Sequence, residues 1–275
     1  LERFDPTVVL RALDAHRISV LMGVPTMYHR MTDSAGDFSL GSMRLFTCGS
    51  APLSPETFRR FQERFGFPVV ERYGLTETAI NTSNPLRGGQ KPGSVGLPLP
   101  GVEVGIFDPQ TQRRLENGES GEIWVRGPNV FSGYWQNPEA TAVTFCDGWF
   151  RTGDLGAFSE DGYLSILGRI KELIIVGGTN VTPGEVETVL EADSGVAECA
   201  VVGLPDVDLG ERIAAFIVPR MGEDTVVLEQ RLRARAEQDL APYKRPRLYR
   251  FLTTIPRNAM GKVERSKLRS MRAER

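Results

Sequence analysis

Two β-branched residues, Val69 and Val70, lead into the run Glu71-Arg72-Tyr73-Gly74-Leu75-Thr76-Glu77-Thr78. The pattern predicts a buried strand that ends in a glycine turn, with Tyr73 and Thr76 emerging at its carboxyl end. In open α/β sheets that end is the ligand-binding edge, so this stretch constrains the fold and the place of its site together. A threonine hydroxyl beside a glutamate suits a phosphate whose charge is shared with Mg2+. The hydroxyl donates to a phosphate oxygen and the carboxylate holds the hard cation. Taken alone, the same residues serve equally well as a polar strand-to-loop transition.

The remaining chain sets this strand in an alternating pattern. A helix is expected over 8–16 and a buried strand over 20–25. Ser54-Pro55-Glu56 opens a further helix, with Ser54 as N-cap, Phe58, Phe61 and Phe65 on one face, and Gly66 as the stop. After residue 90 the texture changes. Short alternating runs such as Gly121-Glu122-Ile123-Trp124-Val125-Arg126-Gly127, set among many Gly and Pro, predict a β-rich unit over about 90–167. Lys91-Pro92-Gly93-Ser94-Val95-Gly96 has the composition of a phosphate loop. It precedes no helix, however, and Pro98 and Pro100 follow, so it is read as a turn.

Beyond Gly168 helix and strand alternate again. Thr182-Pro183-Gly184-Glu185 has capping-box spacing, with Val186, Val189 and Leu190 as the apolar face. Strands are expected at 197–202 and 213–218, then a helix carrying Leu228 and Leu232. The fold class is α/β: a large domain over 1–167 that ends in a small β-rich subdomain, then a small α+β domain over 168–275, with the boundary at 168–171.

Composition narrows the partners. A net charge of −2, with Lys and Arg interspersed among Asp and Glu, leaves no basic field for nucleic acid. The basic run over 262–275 is read as a solvated terminal helix. No apolar run approaches the ~18 residues of a membrane span. Cys48, Cys146 and Cys199 are odd in number and widely spaced, which favours neither a disulfide framework nor a metal knuckle, and Cys48 is read as a small buried hydrophobe. These cysteines, with no signal-peptide pattern in Leu1-Glu2-Arg3-Phe4, place the protein in a reducing compartment, bacterial cytoplasm or mitochondrial matrix.

Further short motifs accompany the Tyr73-Gly74-Leu75-Thr76-Glu77 segment. They are Cys48-Gly49-Ser50-Ala51-Pro52, Phe150-Arg151-Thr152-Gly153-Asp154, Gly168-Arg169-Ile170-Lys171-Glu172, Gly177-Gly178-Thr179-Asn180 and Pro256-Arg257-Asn258-Ala259-Met260-Gly261-Lys262. In this order, from Phe4 to about Leu268, they resemble the AMP-forming adenylating superfamily of acyl-CoA synthetases, luciferases and peptide-synthetase adenylation domains. The resemblance implies ATP, Mg2+ and CoA as reactants and cofactor. It also implies an upstream Ser/Thr/Gly-rich loop ending in Lys that grips the ATP phosphates. That loop is not in the chain, which is therefore expected to be the C-terminal part of a longer enzyme.

By the same resemblance, Gly49, Ser50 and Ala51 wall the adenine pocket and Tyr73, beside Gly74, stacks on the base. Thr76 bonds the α-phosphate, Glu77 holds Mg2+, Asp154 takes the ribose hydroxyls and Arg169 adds a ribose or phosphate contact. Lys262 is the adenylation lysine and Lys171 the hinge about which the C-terminal domain rotates. Gly177 and Gly178 then line the CoA channel. Thr182 stands where an aromatic residue is usual, a departure that bears on the CoA contacts.

Arg72 discriminates among acids. Near a sheet-end acyl pocket, a buried unpaired guanidinium costs several kcal/mol, whereas a short dicarboxylate supplies a bidentate partner. The segments around Arg72, with Asn81-Thr82-Ser83-Asn84-Pro85, Met22-Gly23-Val24-Pro25-Thr26 and Gly127-Pro128-Asn129-Val130-Phe131, look most like malonyl-CoA synthetases. In that comparison Arg72 and Ser50 contact malonate. Ala79 and Ile80 floor the pocket and set tolerance for methylmalonate. An internal pairing of Arg72 with Glu71 or another acid stands as the alternative. Three functional readings remain: a malonate–CoA ligase, a ligase for another short acid or a carrier protein, and a non-catalytic nucleotide-binding fragment.

Overall fold

The computed structural model describes residues 4–258 and 261–271. Leu1, Ala259 and Met260, which the motifs above include, lie outside the described residues. The chain divides into two compact units, Leu1–Ile166 and Leu167–Arg275.

In the first unit, α1 (Pro6–Ala15) starts two residues earlier than expected. Asp5 caps it through a bond from the Val8 N–H to Oδ1, at 2.8 Å, and Pro6 takes the first helical position. Strand β1 (Val20–Gly23) is shorter than predicted because Pro25 opens a helix, α2 (Pro25–Asp33), that the sequence reading missed. Nor is β1 buried, since Met22 is 67% exposed. It lies at the edge of the sheet and pairs in parallel with β2 (Leu45–Cys48). Helix α3 (Pro55–Phe65) follows the prediction, from a Ser54 hydroxyl that accepts the Thr57 N–H to Gly66 in the left-handed conformation.

Strand β3 (Val69–Leu75) pairs in parallel with β2 and then turns back into β4 (Ala79–Ser83), which pairs with β5 (Leu97–Pro98). Behind this sheet α1–α3 pack Leu10, Leu13, Met31 and Phe58 around the ring cluster of Tyr28, Phe46 and Phe61. The unit continues with β6 (Glu103–Phe107), β7 (Ser120–Arg126), α4 (Pro138–Thr144), β8 (Phe145–Cys146), β9 (Trp149–Phe158) and β10 (Leu164–Arg169), in the sheet order β10-β9-β7-β6 with β8 against β9.

The second unit holds β11 (Ile174–Val176), β12 (Thr179–Val181), α5 (Pro183–Glu191), β13 (Val196–Asp206), β14 (Gly210–Pro219), α6 (Thr225–Asp239), β15 (Leu248–Phe251) and α7 (Arg265–Ser270). Alternation along β13 decides its packing. Cys199 and Val201 join Leu190, Leu228 and Leu232 on one face, while Ala200 and Val202 join Phe216 and Leu268 on the other. Leu268 is fully buried, so the basic C-terminal helix docks on the sheet rather than standing in solvent. Thr182 makes no side-chain cap bond to α5, and Glu185 is drawn to Lys244 at 2.5 Å, so the capping box expected from spacing does not form. Among the described residues no helix is long and apolar enough to cross a membrane.

Candidate active site

The predicted glycine turn is placed differently from the expectation. Gly74 lies inside β3, opposite Ile80, where a Cβ would come 1.8 Å from the Ala79 carbonyl oxygen. Its function is therefore close backbone approach. The turn itself is Thr76-Glu77-Thr78, closed by a bond from the Thr78 N–H to the Leu75 oxygen at 3.2 Å, with Ala79 at φ +49°. This presents Thr76 to solvent and leaves Glu77 half-buried.

A neighbouring loop braces the turn through residues given no role there by sequence reasoning. The Phe131 N–H donates to the Glu77 carbonyl at 2.8 Å, and Asn129 Nδ2 donates to the Thr78 carbonyl at 2.6 Å. The Tyr134 phenol donates to Glu77 Oε1 at 3.0 Å, and burial together with that carboxylate raises the phenol's pKa. The second Glu77 oxygen has no protein partner among the described residues. No group of three or more His, Cys, Asp or Glu side chains there could cage a metal. One oriented carboxylate fits a Mg2+ that draws its other ligands from water and substrate phosphates.

Asp154 and Tyr73 come together. The Tyr73 hydroxyl donates to Asp154 Oδ2 at 2.7 Å, and Asp154 is only 3% exposed. The backbone beneath is fixed by Glu122, buried on β7. Its Oε1 accepts the Gly153 N–H at 3.1 Å, and its Oε2 accepts Arg151 Nη2 at 3.0 Å. Thr152 donates to the Ile123 carbonyl and accepts the Asp154 N–H. Glu122 was read from sequence only as part of an alternating strand, because its partner Arg151 lies 29 residues on.

At the adjoining loop Ser50 adopts φ +73°, and the Arg72 side chain lies over Gly49, where a Cβ would stand 3.7 Å from Arg72 Cγ. Arg72 does not pair with Glu71, since consecutive strand residues point to opposite faces. The Arg72 guanidinium meets only the Met22 sulfur, at 3.7 Å, and no acid among the described residues. Ile80 sits half-buried on β4 beside Ala79. Cys48 is buried as expected, with its thiol pKa pushed far up by burial.

Glu71 points inward and anchors the loop after Ala51 by accepting the Leu53 N–H at 3.1 Å. Burial pushes its pKa from 4.5 to about 7 against the lowering effect of backbone donors at Leu53 and Gly93. A raised folded pKa means that proton binding favours the folded state at low pH. That contribution is lost as pH rises from 4.5 to about 7. Glu71→Gln keeps the acceptor and removes the charge, so it raises Tm at pH 8 more than at pH 5, with a difference on the order of 3 kcal/mol. Equal Tm changes at the two pH values would show that Glu71 ionises normally.

The other candidates belong to the second unit and its border. Arg169 ends β10, and Lys171 is exposed in the 3-10 turn Ile170–Glu172. Gly177 and Gly178, at φ +55° and +80°, make the tight turn between β11 and β12, which only glycine occupies twice without strain. Lys262 is exposed in a turn whose ends pair through Arg257 and Val263, and its ammonium has no partner among the described residues.

Two family models match in sequence order, AMP-binding enzyme over residues 1–135 and AMP-binding enzyme C-terminal domain over 185–262. The long-chain-fatty-acid–CoA ligase of Bacillus subtilis is 38% identical over 273 residues, covering 98% of this chain and 48% of the ligase. The oxalate–CoA ligase of Arabidopsis thaliana is 38% identical over 269 residues, covering 96% and 52%. The crystal structure of ATP-bound MatB from Rhodopseudomonas palustris superposes with a TM-score of 0.90 at 45% identity, covering 98% of this chain and 53% of MatB. The chain thus spans about half the length of the relatives it matches. It belongs to the AMP-binding enzyme family.

Proposed function

We propose that the full-length enzyme is an ATP-dependent ligase joining malonate to CoA. A malonate oxygen attacks the α-phosphorus of ATP and the bond to pyrophosphate breaks. The CoA thiol then attacks the acyl carbonyl, forms the thioester and releases AMP. In the first step an anion approaches a polyanion, so the barrier is electrostatic and is lowered by donors and cations. Thr76 donates to the α-phosphate and Lys262 supplies the cation as charge develops there. Glu77 would hold a Mg2+ ion, which would supply positive charge against the phosphates. Gly49, Ser50 and Ala51 accommodate adenine beside Tyr73, and Asp154, oriented by the Tyr73 hydroxyl, binds ribose with Arg169. Gly177 and Gly178 are assigned to CoA, and Lys171 to the pivot between half-reactions.

The observation that carries the choice of acid is Arg72: a guanidinium over Gly49 at the sheet end with no acid partner among the described residues. A distal carboxylate supplies that partner in two-point geometry. The 45% identity with ATP-bound MatB supports an ATP-using member of the family.

A panel of acids tests it in the full-length protein, with CoA thioester formation as readout. Malonate is expected to exceed butyrate, ferulate and palmitate in kcat/KM by about 100-fold or more, the difference between a paired and an unpaired guanidinium. A preference for palmitate or ferulate would remove the dicarboxylate reading. A preference for oxalate would keep Arg72 as the recognition group but shorten the substrate.

A further inference from the structure

A lysine ammonium on a four-carbon stem is a mobile charge, so its placement depends on how firmly its backbone is held. The Lys262 turn closes on itself through ordinary bonds. The Asn258 N–H donates to the Lys262 carbonyl at 2.9 Å, the Gly261 N–H to the Asn258 carbonyl at 2.9 Å, and the Glu264 N–H to the Pro256 carbonyl at 2.9 Å. Asn258 adds its side chain, Oδ1 accepting the Lys262 N–H at 3.0 Å. Gly261 takes φ +79°. These bonds shape the turn, and its flanks are seated by apolar packing, with Ile255 buried in the cluster around Phe216 and Val263 packed against it.

Arg257 adds a polar tie at the carbonyl that precedes Lys262. Its Nη1 donates to the Gly261 carbonyl at 2.9 Å, immediately before Lys262, and its Nη2 donates to Glu198 Oε2 at 2.9 Å. Glu198 stands on β13, the longest strand of the second unit's sheet, paired along nearly its whole length with β14. Both side chains of the pair are largely covered, at 26% and 20% exposure, which limits solvent screening. One planar guanidinium therefore ties the carbonyl preceding Lys262 to a rigid strand, a bridge that the single ammonium of a lysine reproduces poorly.

We infer that Arg257, fixed by Glu198, is a positioning residue for Lys262 that acts in the adenylation half-reaction and not in thioester formation. The inference rests on the proposed assignment of Lys262 to adenylation. It adds a requirement that the turn be pinned to β13 for that lysine to act.

The test uses the full-length enzyme and two readouts, acid-dependent ATP–pyrophosphate exchange and thioester formation from supplied acyl-adenylate. Arg257→Ala is expected to lower exchange about 10- to 100-fold, the penalty for misplacing a charged group by about an ångström. Thioester formation should stay within about twofold. Arg257→Lys should recover part of the loss. In the Lys262→Ala background, Arg257→Ala should add less than about twofold, because residues acting through one group are not additive.

Equal loss in both half-reactions, unchanged exchange, or an undiminished Arg257 effect without Lys262 would each overturn the positioning role. If Arg257→Ala folds poorly, Glu198→Gln tests the same tie by removing one charge at nearly constant shape. Selective loss of exchange supports the inference, and wild-type exchange ends it. Normal exchange in Lys262→Ala alone would instead refute the assignment of Lys262, whatever Arg257 does.

Discussion

Lys262→Ala in the full-length enzyme is expected to abolish adenylate formation and to leave the second half-reaction largely intact. Adenylation brings a carboxylate against a triphosphate, and one correctly placed donor at the developing charge is worth about 100- to 1,000-fold in rate. A loss of at least about 100-fold in ATP–pyrophosphate exchange is therefore expected. The CoA thiol attacks a neutral acyl carbonyl with AMP as the leaving group, a step with less need of that cation. Stability is not the route of the effect. Lys262 is exposed and its ammonium bonds to nothing among the described residues, so truncation changes stability by at most about 0.5 kcal/mol. Exchange and single-turnover thioester formation from supplied malonyl-adenylate separate the two steps. Proportional loss in both would show Lys262 to serve a shared site, and an unchanged exchange rate would remove it from the chemistry.

The residues legible in sequence are those whose reason is local. Ser54, Pro55 and Gly66 announce α3 because a cap, a pre-set φ and a left-handed stop act within one helix. Gly177-Gly178 announces a tight hairpin for the same kind of reason. Gly74 was legible as special but not for its true cause, which is the Ala79 carbonyl across the hairpin. Capping-box spacing at Thr182 misled because Glu185 finds Lys244, 59 residues away, outside any local window.

Met22 was expected to be buried because apolar strands in parallel sheets usually are, yet β1 is the edge of its sheet. The supports of the candidate site, Glu122, Asn129, Tyr134 and Arg257, bond to groups distant in sequence or to backbone atoms, and neither periodicity nor composition encodes those partners. What the sequence carried was a set of candidate residues. What only the structure carries is how each is held.

Arg72→Met inverts the acid preference, and it bears most directly on the proposed substrate. Methionine has similar length and fills the space over Gly49 with an apolar side chain, so the pocket wall is retained while its charge is removed. In the wild type, butyrate leaves the guanidinium unpaired and malonate satisfies it. In the mutant, malonate's distal carboxylate is left without a partner and butyrate meets an apolar wall. Each mismatch leaves one charge without its partner. A charge pair is worth on the order of a few kcal/mol. The ratio of kcat/KM for malonate over butyrate should therefore fall by at least about 100-fold, since each 1.4 kcal/mol is a factor of ten. Butyrate activity itself should hold or rise, which a general loss of folding cannot mimic. Arg72 forms no ion pair among the described residues, so its removal breaks no salt bridge described within this chain. Equal proportional loss for the two acids would make Arg72 a structural residue, and the selectivity for a dicarboxylate would then need a different cation.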